Sequence, residues 1–189
     1  MRVLLSLGCP NPRSPWVGPD CGWGLRRRGA SCRPSLWGVK LIVRAAQGAE
    51  VRPLQSAILR PDGPLPGDRP PPPGARFVAA LQGGVVVGAA TILPEPWPGP
   101  GLLPEPAWRL RGMVTAESLR GMGIGRAVLD GAVELAAASG AVSMWAQART
   151  SALEFYRRAG WAVVGDEWIK PGVGPHRYIH RSARVDQDS

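Results

Sequence analysis

Two windows of this chain are closed to regular structure: 61–75 holds seven prolines and 94–106 holds six. Proline lacks the amide donor that helix and central strand both need, so each window must be a loop. Every element of the fold lies before, between or after them. Between them, 77–81 and 85–93 are β-rich runs joined by Gln82-Gly83-Gly84, a pattern that predicts a hairpin.

Regular patterns also flank the windows. Residues 41–46 are rich in branched side chains and read as a strand. Over 50–60, Val51, Leu54, Ala57 and Ile58 are spaced by three and four, which predicts an amphipathic helix. Residues 107–115 read as a strand, and Ile124, Val128, Ala132 and Leu135 share one face of a helix over 124–139 that Gly140 closes. A strand over 142–147, a helix over 151–159 stopped by Gly160, and strands over 161–165 and 176–180 complete the series. The order β, α, β-hairpin, β, α, β, α, β, β predicts an α/β fold with a mixed sheet, antiparallel in the hairpin and parallel across the strand-helix-strand passes. With 44% hydrophobic and 20% charged residues the chain is neither wholly disordered nor a coiled coil. No run reaches the roughly 18 uninterrupted apolar residues of a membrane span.

The first 38 residues follow different rules. Six arginines stand there against the single acid Asp20, so this piece carries +5 of the chain's formal +9. It also holds all three cysteines, Cys9, Cys21 and Cys32, so no disulfide can hold the part from Val39 onward; that suits a cytoplasmic protein. With no sustained period, 1–38 is expected to be a disordered extension or an over-extended gene start, Val39 being a valine-read start codon; 184–189 is expected to be a tail. The apolar run 3–7 is too short for a secretory signal and precedes the basic cluster Arg26-Arg27-Arg28, the wrong order. Three clustered arginines are too few to assign a nucleic-acid partner.

The chemistry-bearing stretch is Arg120-Gly121-Met122-Gly123-Ile124-Gly125-Arg126, between the 107–115 strand and the 124–139 helix. Glycines let main-chain amides approach a ligand, and the first amides of a helix lack internal partners, so such a turn favours phosphate. A Walker loop requires Lys-Ser/Thr after the last glycine, where Arg126-Ala127 stands. The dinucleotide pattern G-x-G-x-x-G fails because Arg126 occupies its last position. A plain tight turn remains open.

In its wider context, residues 109–129 (RLRGMVTAESLRGMGIGRAVL) resemble motif A of the Gcn5-related N-acetyltransferase (GNAT) family, R/Q-x-x-G-x-G/A, with Arg120, Gly123 and Gly125 in its three fixed positions. Residues 146–161 (AQARTSALEFYRRAGW) resemble its motif B, and the two blocks stand in family order and spacing. The resemblance extends through about residue 181, is loose over 39–93 and does not reach 1–38. It implies an acyl-CoA N-acyltransferase fold over 39–183, its sheet splayed between strands 4 and 5, with helices on both faces.

The resemblance further implies acetyl-CoA as acyl donor and a small-molecule or protein amine as acceptor, with no metal; a homodimer stays open. The amides of Arg120, Gly121, Met122, Gly123, Ile124 and Gly125 would hold the pyrophosphate, assisted by Arg126. The main chain of Met113, Val114 and Thr115 would pair with the pantetheine arm as an added strand. Tyr156 is the expected proton donor to the departing thiolate. Because an amine of pKa near 10.4 is neutral in fewer than about one molecule in a thousand at pH 7, a base is also needed. The 107–115 strand carries no acid, which leaves Glu117, just past it, and His176 as candidates. Gln147 stands where many relatives carry a cofactor-contacting Asn. Loops 61–75 and 94–106, around Trp97 and Trp108, are expected to build the acceptor site. The alternative is a non-catalytic CoA-binding module.

Overall fold

The structure, a computed structural model, describes residues 40–59 and 71–183. The expectations for 1–38, for 184–189 and for most of the first proline window lie outside the described residues. Ten elements follow in order: β1 (Leu41–Ala46), α1 (Gly48–Leu59), β2 (Arg76–Gln82), β3 (Val85–Pro94), β4 (Ala107–Thr115), α2 (Ile124–Ala138), β5 (Ser143–Arg149), α3 (Leu153–Arg158), β6 (Ala162–Lys170) and β7 (Gly174–Ser182). The seven strands form one mixed sheet in the order β1-β2-β3-β4-β5-β7-β6.

One expectation about direction fails. β1 and β2 flank a helix yet pair antiparallel, Leu41 opposite Gln82. β5 and β6 also flank a helix, but β7 lies between them and pairs antiparallel with both. The β4-α2-β5 pass is parallel, with Ala107 opposite Ser143, and β5 and β6 run in the same direction without being neighbours. Helical periodicity marks that a crossover exists; it does not fix whether the chain returns up or down.

Strand alternation divides the core between two faces. Val78, Ala80, Ala90 and Ile92 pack with Val128, Leu129 and Ala132 of α2. Ala79 and Ala89, one residue out of phase, pack instead with Val51 of α1, alongside Val114. α3 joins the α2 side through Leu153 and Ala159. Helices therefore cover both faces. α2 buries Ile124, Val128, Leu129, Ala132, Val133 and Ala136, a wider stripe than its sequence spacing suggests, while Leu135 is half-buried at its margin. Each large aliphatic side chain so buried contributes about 1.5–3 kcal/mol. Gly88 lets α2 sit close to β3, for a Cβ there would lie 2.8 Å from Val128 Cγ2 and 2.9 Å from Ile124 Cγ2.

α1 is fixed at its start by Glu50. Its Oε2 accepts the Gln47 amide at 2.7 Å and its Oε1 pairs with Arg44 at 2.6 Å. The Arg44 guanidinium, then the Gln47 amide, lower the Glu50 pKa to about 2.

Candidate active site

The sheet opens where β4 and β5 part. Their pairing runs from Ala107↔Ser143 to Leu110↔Ala146 and stops, although β4 continues to Thr115 and β5 to Arg149. The cause lies on the other edge of β4. Its register with β3 shifts between Thr91↔Arg111 and Ala89↔Val114, a bulge centred on Gly112, whose φ is +59°. A bulge bends its strand and leaves a residue unpaired. Here Gln55 of α1 takes up the slack: its Nε2 donates to the Gly112 carbonyl at 2.7 Å and to Thr91 Oγ1 at 3.0 Å. A Cβ at residue 112 would lie 2.7 Å from that nitrogen. The sequence reading missed Gln55 and Gly112, although an isolated glycine inside a strand pattern is itself a bulge signal. Met113, Val114 and Thr115 consequently line the edge of β4 beyond its last pair with β5.

The glycine turn stands at the mouth of this opening. A 3-10 turn, Glu117–Leu119, leads from β4 into it, and Gly123 in the left-handed region (φ +80°) caps α2 without a side-chain hydrogen bond. Gly121 also has φ +80°, and nothing lies within 4 Å of where either Cβ would be. Glycine is therefore required at these positions by backbone conformation, not by crowding. The amides of the turn are not equivalent. Arg120 N donates to Glu117 O at 3.3 Å and Met122 N to Leu119 O at 3.4 Å, so these two are spent inside the turn, contrary to expectation. Among the described residues, the amides of Gly121, Gly123, Ile124, Gly125 and Arg126 have no protein acceptor. No side chain covers Gly121 or Gly123, so the turn fits a pyrophosphate. Arg126 contributes its amide, but its guanidinium is directed along α2 to Asp130 at 2.8 Å and to the Arg158 carbonyl at 3.2 Å.

Tyr156 sits across the opening from β4. Its hydroxyl donates to Met113 Sδ at 3.6 Å, and its ring meets Phe155 and Trp161 edge-on. Burial pushes its pKa up to about 12, so the phenol keeps its proton throughout the physiological range. Glu117 is placed differently. Its side chain is 75% exposed and pairs with Arg120 at 3.1 Å on the turn's outer surface. His176 is buried, with Nδ1 2.8 Å from the Gly174 carbonyl and its ring against Trp168, which is a structural placement.

The opposite face of β4 to β7 carries a cluster that sequence reasoning did not assemble. Trp145 is fully buried, and Arg109 stacks over its ring at 4.9 Å. Trp97, delivered by the second proline window, contacts Trp145, Tyr178 and His180 edge-on with centroids 5.2 to 5.9 Å apart. Trp168 tilts against Tyr178 at 4.4 Å. Arg109 pairs with Glu95 at 2.8 Å. Gln147 faces this cluster, its Oε1 accepting from both Arg109 Nη2 and Lys170 Nζ at 3.2 Å, so its amide oxygen is engaged away from the turn where a cofactor contact was expected. Trp108, expected beside Trp97, lies instead in the core beneath α2, because residues 108 and 97 reach opposite faces. Among the described residues no group of three or more His, Cys, Asp or Glu gathers to hold a metal, and no helix is long and apolar enough to cross a membrane.

Comparison with known proteins agrees with this fold. An N-acetyltransferase of Bacillus subtilis strain 168, YitI, described as uncharacterized, is 30% identical over 115 residues, 60% of this chain and 75% of that protein. An acyl-CoA N-acyltransferase from Pseudomonas aeruginosa superposes with a TM-score of 0.60 at 15% identity, over 75% of this chain and 99% of that one. An aminoglycoside 6'-N-acetyltransferase complexed with coenzyme A superposes with a TM-score of 0.50 at 17% identity, over 62% and 77%. Residues 49–161 match the acetyltransferase (GNAT) family. With that match spanning more than half of its length, this chain belongs to the acetyltransferase (GNAT) family.

Proposed function

We propose that the protein is an acetyl-CoA-dependent N-acetyltransferase acting on a primary amine in the cytosol. The observation that carries this reading is the alignment of five unpartnered amides, Gly121 and 123–126, with a sheet edge that opens at Leu110. Acetyl-CoA supplies a thioester whose acyl carbon bonds the amine nitrogen as the C–S bond breaks. The glycine turn binds the pyrophosphate through these amides and the end of α2, an interaction worth about 0.3–2 kcal/mol from the helix field alone. Met113, Val114 and Thr115 offer main-chain groups to the amide-bearing arm.

Tyr156 donates a hydrogen bond to the departing sulfur. A phenol near 12 facing a thiol near 8.5 makes complete transfer uphill by about 5 kcal/mol, so Tyr156 stabilises the thiolate and keeps its proton. Glu117 is exposed and paired with Arg120 on the turn's outer surface, away from the acceptor face. Glu95, at the end of β3 beside Arg109, is the carboxylate on the acceptor face, and we assign to it the orientation of the amine, whose surplus proton leaves through solvent. The test is thiol release from acetyl-CoA over an amine panel, beside the rise in Tm that acetyl-CoA produces. A Tm rise without thiol release for any amine would favour the non-catalytic reading, which the acid-free β4 motivates.

A further inference from the structure

Two cations of the acceptor face are brought to one neutral atom. Arg109 Nη2 and Lys170 Nζ both donate to Gln147 Oε1 at 3.2 Å, although a carboxamide oxygen offers only partial charge to either. The single carboxylate in the cluster, Glu95, is taken by Arg109 Nη1. Lys170, half-buried, pairs with no carboxylate among the described residues; Glu167 on the same strand bonds Thr150 instead, at 2.6 Å. Burial, then Arg109 and Arg111, push the Lys170 pKa down, the mark of a cation set among cations. Arg109 Nε is buried without an acceptor. Holding like charges together in a partly desolvated place is unfavourable until an anion arrives. Around them stand the faces of Trp97, Tyr178 and Trp168, all half-buried and therefore partly open to a ligand.

We infer that the acceptor is an alkyl amine carrying an aromatic ring and an oxyanion, carboxylate or phosphate, which Lys170 and Arg109 hold while its ring lies against Trp97, Tyr178 and Trp168. This rests on the acetyltransferase reading for its chemistry and names the substrate class of that same site. The oxyanion accepts hydrogen bonds from Lys170 Nζ and Arg109 Nη2 in place of the shared amide oxygen. Polycationic amines meet the same pair as repulsion and are poor ligands.

The test uses the full chain without acyl donor and reads binding through tryptophan fluorescence, because Trp97, Trp145 and Trp168 all belong to the cluster. Tyrosine carries the carboxylate, O-phosphotyramine the phosphate, tyramine neither, and spermidine is the polycation. A charge-assisted bond of the usual strength predicts at least about a tenfold tighter Kd for tyrosine or O-phosphotyramine than for tyramine at equal ionic strength, and the better of the two identifies the oxyanion. Lys170→Gln shrinks that ratio towards one, Lys170→Arg restores it, and the Tm of each variant shows that the fold survives. Tyramine or spermidine binding as tightly as both anionic ligands overturns the inference, as does a ratio indifferent to Lys170→Gln. Thiol release with acetyl-CoA is read separately. If the binding ratio holds and no thiol appears, the transfer reading fails while the ligand class stands.

Discussion

β5 shows how differently the two sides of the opening are made. Met144, Ala146 and Ala148 turn towards α2 and α3 and are plain core, and the chemistry on that side belongs to the main chain of the glycine turn. Trp145 and Gln147, alternating with them, turn to the other side, where side chains do the work: a stacked arginine, a shared amide oxygen and a wall of aromatic rings. A site built of amides tolerates many side chains provided the backbone conformation is kept. A site built of side chains is remade by single substitutions. On the proposed reading, the glycine-turn side is thus the donor side and the fixed half of the molecule, and the side-chain cluster is the acceptor side, the half expected to set selectivity.

The largest expected effect falls on the acceptor side. Trp145→Ala empties a fully buried position and should cost about 3–5 kcal/mol, read as a large fall in Tm; a fall of only a degree or two would show that this face is not a packed platform. On the donor side, Gly123→Val should destabilise by about 1–3 kcal/mol through its left-handed backbone, although nothing lies near the new Cβ. It should also abolish most of the Tm rise given by acetyl-CoA, while Gly123→Asn, which tolerates that conformation, keeps more of it. Equal behaviour of the two variants would break the claim that conformation, not composition, makes the turn.

Tyr156→Phe removes one long bond to sulfur and should leave the Tm nearly unchanged while kcat falls about tenfold, near 1.4 kcal/mol of barrier. Because burial holds its pKa near 12, the parent should show no loss of rate attributable to Tyr156 between pH 7 and 10. The smallest effect is a control remote from the opening. Glu50, lowered to about 2 from 4.5, adds stability that is complete above pH 4.5 and fades as pH falls towards 2. Glu50→Gln should therefore differ from the parent at neutral pH and converge with it in acid, with acetyl-CoA binding unaltered.

These two sides were also unequally legible. Strand 107–115 and the turn after it can be read from adjacent residues, because β propensity, glycine spacing and helix initiation are local properties. The acceptor cluster draws on residues 95, 97, 109, 145, 147, 168, 170, 178 and 180, which only the sheet order brings together. Trp97 and Trp108 look alike in sequence, and their separation to opposite faces depends on strand parity and on the path of a loop. Gln147 shows the same limit: its motif position is local, but its partners come from β4 and β6, three places apart in the sheet. The antiparallel return of β1-α1-β2 was illegible for a related reason, since amphipathic spacing carries no information on the direction of the following strand.

The second proline window has one more consequence. Trp97 is carried on a connection whose φ angles are largely preset by pyrrolidine rings, and its indole Nε1 donates to the Pro100 carbonyl at 3.2 Å. A recognition ring borne on so stiff a support loses little freedom when a ligand arrives, so selectivity at this mouth should come from preorganisation, with association fast and small amines told apart mainly by how quickly they leave.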